Sequence, residues 1–171
     1  VSLPGKKALI VTTSDRIAER LGILDRVMDC LSQNGCAYHV YAEITSNPTK
    51  NEVMAGKALA LETGCDFTIG IGGGSSIDAA KCISAMLKMD GDLWDFTPYG
   101  SGKGIAVTDA APVIAISTTS GTGTETNGGA VITHDVTREK VYVSSLRMRP
   151  VVSIIDPELM CSLPKTLTAF Q

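Results

Sequence analysis

Histidine is scarce in this sequence. His39 and His134 are the only two, and neither has a second His at metal-ligand spacing, so the chain shows no metal site of its own. No C-x-x-C pair occurs among Cys30, Cys36, Cys65, Cys82 and Cys161, and their number is odd. That favours free thiols over a disulfide framework or a zinc site. Most of them lie in or beside apolar patterns, as buried free thiols of a reducing compartment do, and the cytoplasm follows. A basic surplus is also missing: the formal charge is -3, the pI is near 5.3, and Lys and Arg gather in no single run. Nucleic acid is therefore not an expected partner. No apolar run reaches the length of a membrane span, and Val1-Ser2-Leu3-Pro4-Gly5 has neither the basic nor the apolar region of a signal peptide. No membrane partner is expected. What is present is 171 residues, 44% of them hydrophobic, with a mean hydropathy of +0.17, enough to bury a sizeable single core.

The most informative stretch runs from Phe67 to Lys81. An apolar, β-branched run stops at Gly72-Gly73-Gly74, and a helical pattern begins at once behind Ser75. Glycines without Cβ atoms admit a ligand to the main chain, and the free N–H groups of a first helical turn point at it. A phosphate fits there. Ser75 and Asp78 also read as a variant capping box, which would hold the helix start whether or not anything binds. A tight βα turn with a good cap is thus the plain reading, and three glycines in a row favour the phosphate.

Around that stretch the pattern alternates. Residues 7–12 read as a buried strand, and Asp15 caps a helix carrying Ile17, Leu21, Leu24, Val27, Met28 and Leu31 up to Asn34-Gly35. Residues 36–41 form a second strand. Thr49 and Glu52 are spaced as a capping box for the next helix, which stops at Gly64. The turn after the first strand holds Thr13, Ser14 and Asp15 without glycine, so the usual G-x-G-x-x-G fingerprint is absent there. The alternation βαβαβα implies a parallel sheet with right-handed crossovers and ligands beyond the carboxyl ends of its strands.

Residues 90–109 read as a surface connection that docks by Trp94, Phe96 and Tyr99. Residues 112–116 are another buried strand, running into Ser117-Thr118-Thr119-Ser120-Gly121-Thr122-Gly123-Thr124-Glu125-Thr126. Such a run is either an ordinary polar loop or a set of short donors and acceptors for a close-approaching ligand. Its place on the same sheet edge as the glycine turn favours the ligand. Residues 130–133 and 140–143 form a β-hairpin, on which Lys140 reads as a solvated edge charge. Residues 151–155 make a last strand, and Leu159-Met160, Leu163-Pro164 and Leu167 suggest short helical turns.

The ordered set Ile71-Gly72-Gly73-Gly74-Ser75-x-x-Asp78 with Lys81, Ser117 to Glu125, Ile155-Asp156-Pro157 and Leu163-Pro164 resembles the iron-containing (group III) alcohol dehydrogenases, relatives of glycerol dehydrogenase and dehydroquinate synthase. The resemblance implies a Rossmann-like α/β domain over residues 1–171, a parallel sheet with helices on both faces plus a β-hairpin, that binds NAD or NADP. It places Gly73, Gly74 and Ser75 at the pyrophosphate, Asp78 near the nicotinamide carboxamide, and Thr118, Thr119 and Thr122 around the adenine and its ribose. Lys140 matches the family's lysine at the cofactor ribose, which displaces the edge-charge reading, and Asn47 lies in a loop closing over the dinucleotide. Thr13 aligns where NAD-preferring members carry an Asp, so NADP is as open as NAD.

By the same resemblance the complete enzyme transfers hydride between a small alcohol and NAD(P), giving an aldehyde, with Fe2+ (or Zn2+) as Lewis acid, and a homo-oligomer is expected. Its metal ligands belong to a C-terminal helical domain outside this chain, so no catalytic or metal-ligating residue is assigned here. The chain reads as a piece of a longer protein, inactive by itself. Other readings are a glycerol dehydrogenase-like or dehydroquinate synthase-like zinc enzyme, a nucleotide-binding module without catalysis, and a structural α/β domain with no phosphate site.

Overall fold

The computed structural model describes residues 3–98, 100–161, 163 and 165–169. The expectations placed on Val1, Ser2, Tyr99, Pro164 and Gln171 lie outside them. In chain order the elements are β1 (Lys7–Thr13), α1 (Ile17–Arg20), α2 (Ile23–Gln33), β2 (Ala37–Ile44), α3 (Lys50–Thr63), β3 (Phe67–Gly72), α4 (Gly74–Met86), β4 (Val113–Ser117), β5 (Gly129–Thr133), β6 (Lys140–Ser144), β7 (Val152–Ile155) and α5 (Lys165–Ala169). Five strands form one parallel sheet in the order β2-β1-β3-β4-β7, and β5 and β6 pair antiparallel as a separate hairpin. This is the Rossmann-like α/β architecture expected of the alternating pattern.

Strand side chains divide the core in two by their period of two. Ala8 and Ile10 pack with Ala18, Leu24 and Leu31 on the α1/α2 side, whereas Leu9 and Val11 pack with Val53, Ala80 and Ile83 on the α3/α4 side. The hairpin closes over α4 through Ala130, Ile132, Val141 and Val143. Consequently α4 is buried from Ser76 to Met86 except for Asp78, and is not buried on one face alone, as the apolar positions Ile77, Ala80, Ile83 and Leu87 of its sequence suggest.

Two local expectations change. The periodicity from Ile17 to Leu31 predicts one helix, but Gly22 at φ 66 breaks it into α1 and α2. Asp15 still serves the entry, its carboxylate accepting from Ile17 N–H at 3.1 Å, although the N-cap position is Arg16. The box at α3 forms as predicted: Glu52 N–H donates to Thr49 Oγ1 and Thr49 N–H to Glu52 Oε2. Thr49→Ala is expected to lower stability by about 1 kcal/mol, read from the denaturant midpoint.

The connection after α4 docks as expected, with Leu93, Trp94 and Phe96 buried in a 3-10 turn. Trp94 Nε1 donates to Ser101 Oγ at 2.9 Å, and its ring meets His134 edge-on at 4.7 Å. His134 also accepts from the Val136 and Thr137 amides at Nδ1, so it shapes the hairpin tip. All five cysteines are free; Cys36, Cys65 and Cys82 are buried, and Cys30 and Cys161 are exposed. Among the described residues, no helix is long and apolar enough to cross a membrane.

Candidate functional site

Between β1 and β3 the sheet order reverses, because the chain leaves β1 toward β2 and returns to the other side of β1 as β3. In open parallel sheets such a reversal leaves a crevice beyond the strand ends. Here β3 ends at Gly72, Gly73 is the extended N-cap, and α4 starts at Gly74. A Cβ on Gly72, at φ 140, would lie 2.5 Å from Ser76 Oγ, and one on Gly73 would lie 3.0 Å from Thr119 Oγ1. The positive φ and the crowding exclude a side chain at Gly72, and one at Gly73 would have to push Thr119 aside. The amides of Gly74, Ser75 and Ser76 open α4 without intrahelical acceptors, at the positive end of the helix.

The proposed Ser75–Asp78 capping box does not form. Among the described residues no side chain caps α4, and Ser75 sits within the first helical turn, so its amide is left for an outside acceptor. Asp78 instead turns toward the hairpin: Thr124 Oγ1–H donates to its Oδ1, and Val131 N–H donates to its Oδ2 at 2.9 Å. Behind it Lys81 is wholly buried, its ammonium donating to Thr124 Oγ1 (2.6 Å), Gly129 O (2.8 Å) and Asn127 Oδ1 (3.3 Å), 3.9 Å from Asp78 Oδ1. Burial pushes the Asp78 carboxyl up, against the bonds from Thr124 and Val131 and the Lys81 charge. Burial likewise pushes Lys81 down, against the attraction of Asp78.

Two hollows flank the turn and share Gly74 and Ser75. The crevice hollow, about 200 Å³, is lined by Thr12, Thr13, Asp15, Gly73, Thr118 and Thr119 among others. The hairpin hollow, about 280 Å³, is walled by Asn47, Asp78, Thr122, Lys140 and Tyr142 among others. Each falls below the usual volume of a pocket for a whole small molecule, roughly 300–1,000 Å³. A ligand with two bodies and an anionic middle would fill both. The crevice is also short of partners: Thr12 Oγ1, Thr119 Oγ1 and, under the turn, Ser76 Oγ are buried without a hydrogen bond among the described residues. Buried polar atoms left so are costly unless a ligand or water meets them. The residues present therefore fit a dinucleotide.

All ten residues singled out from sequence come together around this turn. Thr13, Gly73, Thr118 and Thr119 stand in the crevice, Asn47, Asp78, Thr122 and Lys140 in the hairpin hollow, and Gly74 and Ser75 in both. Thr122 lies across the turn from Thr118 and Thr119, with which the sequence had grouped it. Asn47 holds φ 100, and Lys140 Nζ donates to its Oδ1 at 2.8 Å, tying the β2–α3 loop to the hairpin. Thr133 N–H on Pro48 O (2.9 Å) and Asn51 N–H on Asp135 Oδ2 (3.0 Å) reinforce that tie. Sequence reasoning missed Asp15 as a lining residue, having taken it only as a helix cap, and missed Tyr142 and Lys81's partners. Only the alternation along residues 140–143, which puts Tyr142 on the face of Lys140, could have signalled one of them.

The family model described as iron-containing alcohol dehydrogenase matches residues 1–157. The chain belongs to the iron-containing alcohol dehydrogenase family. It is 38% identical over 164 residues to 4-hydroxybutyrate dehydrogenase of Cupriavidus necator, covering 96% of this chain and 42% of that one. It is 37% identical over 166 residues to a probable NADH-dependent butanol dehydrogenase of Bacillus subtilis, with 97% and 42% covered. An archaeal halo-thermophilic alcohol dehydrogenase from a Red Sea brine pool superposes with a TM-score of 0.92 at 38% identity, over 97% of this chain and 42% of that one. The chain thus spans about two-fifths of the length of these relatives. Among the described residues, no group of three or more His, Cys, Asp or Glu could hold a metal ion. The iron of the family name has no ligand set among them.

Proposed function

We propose that this chain seats a nicotinamide dinucleotide for alcohol–aldehyde interconversion by the protein it belongs to, with the pyrophosphate on the amides of Gly74, Ser75 and Ser76. What carries the reading is the pair of undersized hollows joined at a helix N-terminus that no side chain caps. The adenosine half lies in the crevice with Thr118 and Thr119, whose hydroxyls supply short donors and acceptors. The nicotinamide riboside lies in the hairpin hollow, where Lys140 and Asn47 reach the ribose hydroxyls and Asp78 accepts from the carboxamide. Thr122 stands at the junction beside the diphosphate. Bound NAD(H) supplies the hydride chemistry, and this chain's residues hold and orient it. Names such as NADH-dependent butanol dehydrogenase among its relatives fit the same cofactor. Free thiols fit a reducing compartment, the cytoplasm.

The cofactor is NAD rather than NADP. Thr13 is not acidic, but its hydroxyl donates to Asp15 Oδ1 at 2.7 Å and helps hold that carboxylate at the edge of the crevice. A carboxylate there accepts from a ribose 2′-OH and repels a 2′-phosphate. Titrations with NAD+ and NADP+, followed by the amide NMR shifts of Gly74 and Ser75, test this. Wild type is expected to favour NAD+, and Asp15→Ala to move the preference toward NADP+ by about tenfold. An unchanged ratio in the variant would remove Asp15 from the site, and no response to either dinucleotide would remove the site itself.

A further inference from the structure

We propose that Tyr142 is the aromatic wall of the nicotinamide seat, a ligand contact made possible by glycine at position 129; the inference rests on the dinucleotide reading above. Along β6, Val141 and Val143 are buried toward α4, so Lys140 and Tyr142 share the opposite face. In the hairpin register Val131 lies opposite Tyr142 and Gly129 opposite Ser144, which makes Gly129 the diagonal neighbour of Tyr142. A Cβ on Gly129 would overlap the phenol at Oη, Cζ and Cε2. The ring therefore lies across the bare backbone of β5, where any other residue would push it away.

Its position is unusual for a strand tyrosine on an otherwise packed hairpin. Tyr142 is 48% exposed, lines the same hollow as Asn47, Asp78 and Lys140, and its hydroxyl has no partner among the described residues. Packing of the core does not account for the ring, because the hairpin is already held by Ala130, Ile132, Val141 and Val143 on its other face. The oxidised nicotinamide is an aromatic cation, and a phenol face attracts such a ring both by stacking and by its quadrupole. Lys140 and Asn47 hold the riboside at one end of this face, and Asp78 stands at the floor. Tyr142 thereby fixes the plane of the ring and sets the width left for a substrate beside it.

ADP-ribose and NAD+ separate this from the dinucleotide reading, since ADP-ribose has the diphosphate and both riboses but no nicotinamide. Dissociation constants come from amide NMR titrations of the 171-residue chain with each compound. Tyr142→Ala is expected to weaken NAD+ by about tenfold and to leave ADP-ribose within about twofold. Tyr142→Phe, which keeps the ring face, should bind NAD+ nearly as wild type does. Gly129→Ala should reproduce the Tyr142→Ala pattern by displacing the phenol. Equal weakening of both compounds in Tyr142→Ala, or no weakening of NAD+, overturns the role of Tyr142 and leaves the dinucleotide site standing. Failure of ADP-ribose to bind wild type overturns the site and this inference with it.

Discussion

Ser75→Asp is expected to abolish dinucleotide binding while leaving the fold as stable as before, or slightly more so. Position 75 already carries a Cβ and is only partly buried, so the substitution adds no clash of the kind a side chain on Gly72 or Gly73 would make. A carboxylate in the first turn of α4 interacts favourably with the helix's positive end, by about 0.3–1 kcal/mol. The same charge would stand where the diphosphate lies. Repulsion at such range is worth on the order of 1–4 kcal/mol per charge, so affinity should fall by roughly a hundredfold or more. Thermal unfolding and an NAD+ titration of one sample read both halves. Loss of binding together with a large loss of stability would mean that the turn had been broken, and retained binding would mean that the diphosphate sits elsewhere.

The second large effect concerns Lys81, which lines neither hollow. Its ammonium bonds to Thr124, Asn127 and Gly129, joining α4 to both the hydroxyl-rich loop and the start of the hairpin. Lys81→Met keeps the stem but removes all three of these bonds, although the Gly129 amide still donates to Asn127 Oδ1, and leaves Asp78 without its neighbouring cation. Breaking a buried ion pair from one side costs about 3–5 kcal/mol. For a domain of this size that lowers the melting temperature by roughly 10 °C. Replacing both partners, as Lys81→Met with Asp78→Asn, should recover part of the loss, because the uncompensated carboxylate is gone. A melting temperature unchanged in the single variant would show that the buried pair does not hold the hairpin to α4.

Why Lys81 was legible only as a motif mark is a matter of distance along the chain. Strand positions follow from apolar runs, and the parallel sheet from their alternation with helical periods; these signals are local and the structure reproduces them. The glycine turn is local too, since three glycines before a helical pattern state their own conformation. What failed to be legible depends on elements far apart. The cap at Ser75 looked right by spacing, yet Asp78 is drawn to Thr124 and Val131, 46 and 53 residues on. The outer side of α4 looked as if it faced solvent because the hairpin that covers it begins at Gly129. Asp15 read as a helix cap, and only the folding of β1 beside β3 turns it toward the crevice. The single helix expected over residues 15–34 failed for a local reason, the left-handed Gly22, whose weight against a strong apolar period is not apparent from sequence.

The site follows the same division. Residues beside the glycine turn were found by their own chemistry, whereas Asn47, Lys140 and Thr13 were reached only through resemblance to the family. In the fold these three stand at one sheet end with the turn, and Asn47 and Lys140, 93 residues apart, are bonded to each other. The crystal structure of this chain soaked with NAD+ tests the diphosphate seat most directly. Density for the two phosphates should lie against the amides of Gly74, Ser75 and Ser76, with the adenosine toward Thr118 and Thr119 and the nicotinamide toward Tyr142. Phosphates bound at any other surface, with those amides facing only water, would contradict it.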